Sequence, residues 1–200
     1  LLTAVNMIPS SGEFIYATEP ITRTVSGGAV LPENVNSTAG QCDFLTSLDQ
    51  LEATAPNCKS VSLVVAWFGT DLRAGNCQVR PGVESATKVT APKLWLVNGV
   101  SRSAAYVVSQ ISGSPVNGGT PSDFSVVQAI QELKARGFRV TFYPFLLMDL
   151  PEANTLPNPY SNNAAALGQP GLIADRTATM FDLRSALYSP NDRRVGLTLI

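Results

Sequence analysis

The hydropathy pattern predicts an α/β fold built on a parallel sheet, and three observations carry the prediction. A near-continuous apolar run occupies residues 61–68, an amphipathic helical pattern precedes it, and a second helical pattern ends just before another apolar run at 138–147. Strand, helix and strand in that order make a right-handed crossover, the connection that joins parallel strands.

In chain order, residues 1–40 are rich in Ser, Thr, Gly, Asn and Pro and hold one short β-like run over 13–17. With no sustained period, they read as an extended lead-in. From Asp43 onward, Phe44, Leu45, Leu48 and Leu51 share one helical face, and Pro56 stops that helix. Val61, Leu63, Val64, Val65, Ala66, Trp67 and Phe68, closed by Gly69, read as a strand buried on both faces. Residues 69–92 show no helical period, so a long loop or a hairpin-like excursion is expected there, and 93–97 is a second, shorter strand candidate.

Thr120-Pro121-Ser122-Asp123 places an N-cap hydroxyl, a proline at the first helical position and an acidic residue at the third, so a helix is expected to start here. Phe124, Val127, Ile130 and Leu133 line one face of it. Lys134 and Arg136 suit the negative end of its dipole, and Gly137 suits a left-handed cap. A third strand follows over 138–147 with Val140, Phe142, Tyr143, Phe145 and Leu146. Residues 152–172 are loop-like, and a short helix over 179–187 and a strand over 195–200 are expected near the end. No internal repeat is visible.

A chain that is 44% hydrophobic and 14% charged is composed like a folded domain rather than a disordered one. Fifteen acidic residues against 14 basic ones leave a net charge of −1, without the Lys/Arg run that a phosphate backbone requires, so nucleic-acid binding is not expected. No stretch approaches the roughly 18 apolar residues of a membrane helix. The opening Leu1-Leu2-Thr3 carries no recognisable leader, and the chain is expected to be cut from inside a longer polypeptide.

Histidine is absent, which removes Ser-His-Asp, Cys-His and His-metal chemistry together. Cys42, Cys58 and Cys77 are odd in number and widely spaced without a CxxC, so reduced and mostly buried thiols are expected, with no metal and no cofactor. What remains is carboxylate chemistry, or none.

Three blocks carry a family resemblance: Val64-Val65-Ala66-Trp67-Phe68-Gly69-Thr70-Asp71-Leu72-Arg73 with Arg80-Pro81-Gly82-Val83-Glu84; then Gly118-Gly119-Thr120-Pro121-Ser122-Asp123; then Phe142-Tyr143-Pro144-Phe145-Leu146-Leu147-Met148-Asp149-Leu150-Pro151 with Asn154-Thr155-Leu156-Pro157. In these blocks, in order over residues 1–157, the chain resembles the barrel-like domain of the large tail-tip proteins of gene transfer agents and related siphophages, described as host-specificity or megatron proteins. The resemblance implies a glycosidase-like fold, here a partial (β/α) TIM-barrel-like segment with long loops. It also implies a baseplate-hub place at the virion tail tip after synthesis in the host cytoplasm, a threefold complex, and contacts with other tail and baseplate proteins and with the host envelope and its polysaccharide. After Gly168 the chain departs from the family pattern, in which a later strand end offers a Glu. The expected division is a lead-in over 1–40, barrel-like βα units over 41–157, and a loop with a divergent C-terminal segment over 158–200.

Glycoside hydrolysis needs two carboxylates about 5 to 10 Å apart. Asp71 and Asp149 follow the first and third strands and form the candidate catalytic pair, while Trp67, Phe68, Arg80 and Tyr143 form the candidate substrate-binding set. Each also has a structural reading. Asp149 before Leu150-Pro151 suits a turn, Asp71 suits pairing with Arg73 or Arg80, and the aromatic residues suit core packing. Glu84 and Glu152, in loops without an apolar run, read as solvated charges. Two functions therefore stay open: a structural and interaction module of a tail tip, or a hydrolase acting on peptidoglycan or surface polysaccharide during entry.

Overall fold

The computed structural model describes residues 2–7, 12–38, 40–71 and 75–151. In chain order its elements are β1 (Ala4–Met7), β2 (Thr22–Thr24), β3 (Val30–Pro32), α1 (Asp43–Thr54) and the long strand β4 (Ser60–Gly69). Short strands follow: β5 (Val79–Arg80), β6 (Gly82–Val83), β7 (Val89–Ala91), β8 (Leu96–Val97), β9 (Val100–Ser101), β10 (Tyr106–Val107), β11 (Gln110–Ile111) and β12 (Ser114–Pro115). Helix α2 (Asp123–Ala135) then leads into the long strand β13 (Arg139–Met148). The helix expected over 179–187, the strand expected over 195–200 and Glu152 lie outside the described residues.

The expected TIM-barrel-like α/β class is not what the chain adopts. Most of its strands are two or three residues long and belong to several separate sheets, there are two α-helices among the described residues, and no barrel closes. The reason lies between β4 and α2, where a barrel would continue its strand-helix repeat. That stretch instead turns back on itself through two-residue loops. Asn98 and Gly99 (φ 49° and 76°) join β8 to β9, and Ser112 and Gly113 (φ 50° and 79°) join β11 to β12. Two consecutive positive φ values match the right-handed twist of paired strands, and such turns close hairpins rather than launch helices.

One sheet has the order β1-β4-β13. β1 pairs with β4 in parallel register. At one end Arg139 N–H donates to Lys59 O (2.8 Å), and at the other Asp149 N–H donates to Gly69 O (2.9 Å). The equal offset at both ends means that β4 and β13 run in the same direction.

The chain divides into two compact units. The first holds Leu1–Trp67, Pro81–Val108 and Asn117–Phe145, and the second holds Phe68–Arg80, Ser109–Val116 and Leu146–Ile200. In the first, Val61, Leu63 and Val65, alternate residues of β4, are buried against Phe44 and Leu48 of α1 and against Ala129 and Leu133 of α2. Tyr16 meets Phe44 edge-on (5.7 Å, 89°) and its hydroxyl donates to Val64 O (2.7 Å), so the buried phenol keeps a polar partner. Burial pushes its pKa upward, which the Val64 bond only partly opposes. A smaller cluster gathers Phe14, Ile21, Val83, Trp95 and Val97.

Several local expectations shift. The run 13–17 is a turn, not a strand, although Phe14, Tyr16 and Ala17 are all buried, and strand 93–97 shortens to β8. The N-cap of α2 is Ser122 rather than Thr120, whose Oγ1 instead accepts from Gly82 N (2.9 Å). The buried stripe of α2 is Val126, Ala129 and Leu133. Val127 is about half exposed, and Phe124 packs toward Phe14 (5.8 Å). The helix ends as expected at Gly137 (φ 84°): Gly137 N–H bonds Lys134 O and Phe138 N–H bonds Leu133 O, satisfying two terminal carbonyls. No helix among the described residues is long and apolar enough to cross a membrane.

Candidate functional site

Glu13 is wholly buried in the first unit, and a carboxylate without water must be paired and hydrogen-bonded. Arg102 supplies a two-pronged partner, Nη1 to Oε1 at 2.9 Å and Nη2 to Oε2 at 2.6 Å. Glu84 N–H donates to Oε1 (2.9 Å), and Lys88 Nζ lies 3.2 Å from Oε2. Lys88 continues to Glu33 (3.2 Å) and Glu84 (2.5 Å), and Arg23 meets Glu33 at 2.9 Å. The cluster of Glu13, Glu33, Glu84, Arg23, Lys88 and Arg102 is charge-neutral. Burial alone would depress the Lys88 pKa, but Glu13, Glu84 and Glu33 more than offset it and hold the amine above the ordinary lysine value. Glu84 is thus a half-buried partner of Lys88 and not the solvated charge expected from its loop.

The backbone is shaped to this cluster. Ser122 N–H donates to Glu13 O (2.8 Å), which ties the start of α2 to the turn at Glu13. A Cβ at Gly119 would sit 2.6 Å from Glu13 Cγ and 2.8 Å from Gly82 O, so this position has no room for a side chain. Trp95 lies under the Arg102 guanidinium (5.9 Å), and its Nε1 donates to Thr120 O (2.7 Å). With its charge committed to Arg102 and Lys88 and no exposure to solvent, Glu13 is arranged to hold chain segments together.

In the second unit Asp71 and Asp149 are both buried, at 6% and 0% exposure. Asp149 Oδ2 accepts from Ser109 N (2.7 Å), and its own N–H bonds Gly69 O, two residues before Asp71. The ends of β4 and β13 therefore bring the two aspartates into one neighbourhood. Phe68 and Arg80 face each other across the β4–β5 pair, with Phe68 fully buried and Arg80 exposed and bonded to Gln78 Oε1. In the first unit, Trp67 packs against both apolar clusters, and Tyr143 is half-buried with its ring 6.1 Å from Phe145. Arg73, a possible partner for Asp71, lies outside the described residues.

Cys42 and Cys58 are buried, Cys77 is half-buried, and all three are free thiols. Burial, then the neighbouring Asp43 charge, pushes the Cys42 thiol up in pKa. Among the described residues no group of His, Cys, Asp or Glu is placed to hold a metal ion.

Sequence comparison adds no relative: no protein-family model matches the chain, and no curated protein matches it. The residues missed from the sequence are Glu13, Arg23, Glu33, Lys88 and Arg102. A carboxylate between Gly12 and an apolar Phe14-Ile15-Tyr16-Ala17 run was the available signal, because a charge inside an apolar run is buried only with a partner.

Proposed function

We propose that this chain is a structural and interaction segment of a phage or gene-transfer-agent tail-tip protein, of the baseplate-hub or host-specificity kind, acting at the host envelope during genome delivery. The ordered blocks from Val64 to Pro157 support the family reading; with the barrel-like fold overturned, it rests on those blocks alone. The structural role is carried by the Glu13 network, which spends the buried charge of the first unit on fixing chain segments. In this reading the partners are other tail and baseplate proteins, further copies in a threefold hub, and envelope polysaccharide, and the place is the virion tail tip. Mass spectrometry and immunogold labelling of purified particles test it: the chain is expected at the tail tip, and its absence from particles would sink the proposal.

A second reading, glycoside hydrolysis of peptidoglycan or surface polysaccharide, draws on the burial of Asp71 and Asp149 in one unit after neighbouring strands. Reducing ends released from peptidoglycan by the parent protein, and lost in both Asp71→Asn and Asp149→Asn, would favour it. No release favours the structural role.

A further inference from the structure

β1 lies at the edge of its sheet, and among the described residues it pairs with β4 alone. Beside it is a cavity of about 940 Å³, lined on one side by Val5, Asn6 and Met7 and on the other by α1 residues including Ser47, Leu51 and Thr54. Successive strand residues point to opposite faces, so three in a row line one cavity only where it runs along the strand's edge. Along that edge the backbone N–H and C=O groups project, and an unpaired row of them is a template for another strand. The α1 wall runs from Asp43 to Thr54, all on one helical face. At 1.5 Å per residue it is about 16 Å long, the span of about five extended residues.

Among the described lining residues the charge is one-sided. Two carboxylates, Glu33 and Asp43, line the groove, with no Lys or Arg among the described lining residues. Glu33 is taken by Arg23 and Lys88, whereas the Asp43 carboxylate, at the α1 N-terminal end of the groove, accepts from the uncharged Asn36 backbone and side-chain amides (2.8 and 2.7 Å).

We propose that this groove takes an extended peptide from another protein as an added strand on β1. Apolar side chains at alternate positions enter the cavity, and a Lys or Arg sits beside Asp43. This assignment stands on the groove alone and is independent of the tail-tip reading.

The probe is a fluorescein-labelled synthetic peptide, Lys-Val-Thr-Leu-Thr-Val, titrated with the full chain and followed by anisotropy. Saturable binding is expected. It should weaken at least about tenfold when Glu replaces the peptide's Lys, and disappear when alternate peptide nitrogens are methylated, which removes the ladder donors. Ser47→Trp, at an exposed position of α1, should block the groove and abolish binding while the thermal transition stays in place. Asp43→Asn should erase the preference for Lys over Glu. Absence of saturable binding, equal binding of the methylated peptide, or binding unchanged by Ser47→Trp would overturn the proposal.

Discussion

Around the buried Glu13, Arg102 and Lys88 meet one carboxylate inside the first unit, whereas around Arg136 three carboxylates meet one guanidinium at the surface of the same unit. Arg136 reaches Asp49 (2.6 Å), Glu52 (2.8 Å) and Glu132 (2.7 Å), joining α1 to α2. Its bond lengths match those of the Glu13–Arg102 pair, but Asp49 and Glu52 are 53% and 44% exposed where Glu13 is at 0%. Burial separates the two clusters energetically. An exposed pair that loses a member is re-solvated by water, and a buried one is left with an uncompensated charge.

The largest effect should come from breaking the interior cluster on one side. Glu13→Gln leaves Arg102 and Lys88 facing a neutral amide and is expected to destabilise the fold by about 3–5 kcal/mol in urea unfolding. The double change Glu13→Leu with Arg102→Met should recover part of that loss, since it removes both charges together. A double variant less stable than the sum of its singles would contradict this account. Gly119→Ala probes the same cluster through shape, because its methyl would clash with a backbone carbonyl as well as with Glu13. A loss of about 1–3 kcal/mol is expected.

Titration gives a third contrast. The folded-state pKa of Lys88 is raised above the ordinary 10.5, so its contribution is complete below that pH and is lost as pH rises through the higher folded value. Stability should therefore fall above about pH 10.5, and the Lys88 part of the fall should vanish in Lys88→Met. Asp49 behaves oppositely. The Gln41 amide, then Arg136, hold its pKa below the ordinary aspartate value, so its contribution is present above that value and lost as pH drops through the folded one. The smallest effect is expected from Arg136→Met, within about 1 kcal/mol and shrinking with added salt. A loss as large as that of Glu13→Gln would break the comparison.

The elements most legible from sequence were those with an extended local pattern. The β-branched run at 61–68 appears as β4, the aromatic run at 138–147 as β13, and the helix after Ser122 closes at Gly137. The middle of the chain is less legible because its signals are short. Asn98-Gly99 marks a hairpin as clearly as Pro56 marks a helix end, and these turns exclude the strand-helix repeats that the resemblance implies. At the candidate site, Asp71 and Asp149 were legible as residues at strand ends, while the engagement of Asp149 by Ser109, 40 positions away, was not.

Sequence by itself determined the two long strands β4 and β13 and the two helices, since period, β-branching and caps act within a few residues and are present before any tertiary contact forms. Tertiary structure decided which charges meet. Glu13 and Arg102 stand 89 positions apart, and only the path of the chain, folding short strands between β4 and α2, brings that carboxylate and guanidinium into one buried space. In that space each charge requires the other, and this dependence makes the pair a determinant of the fold.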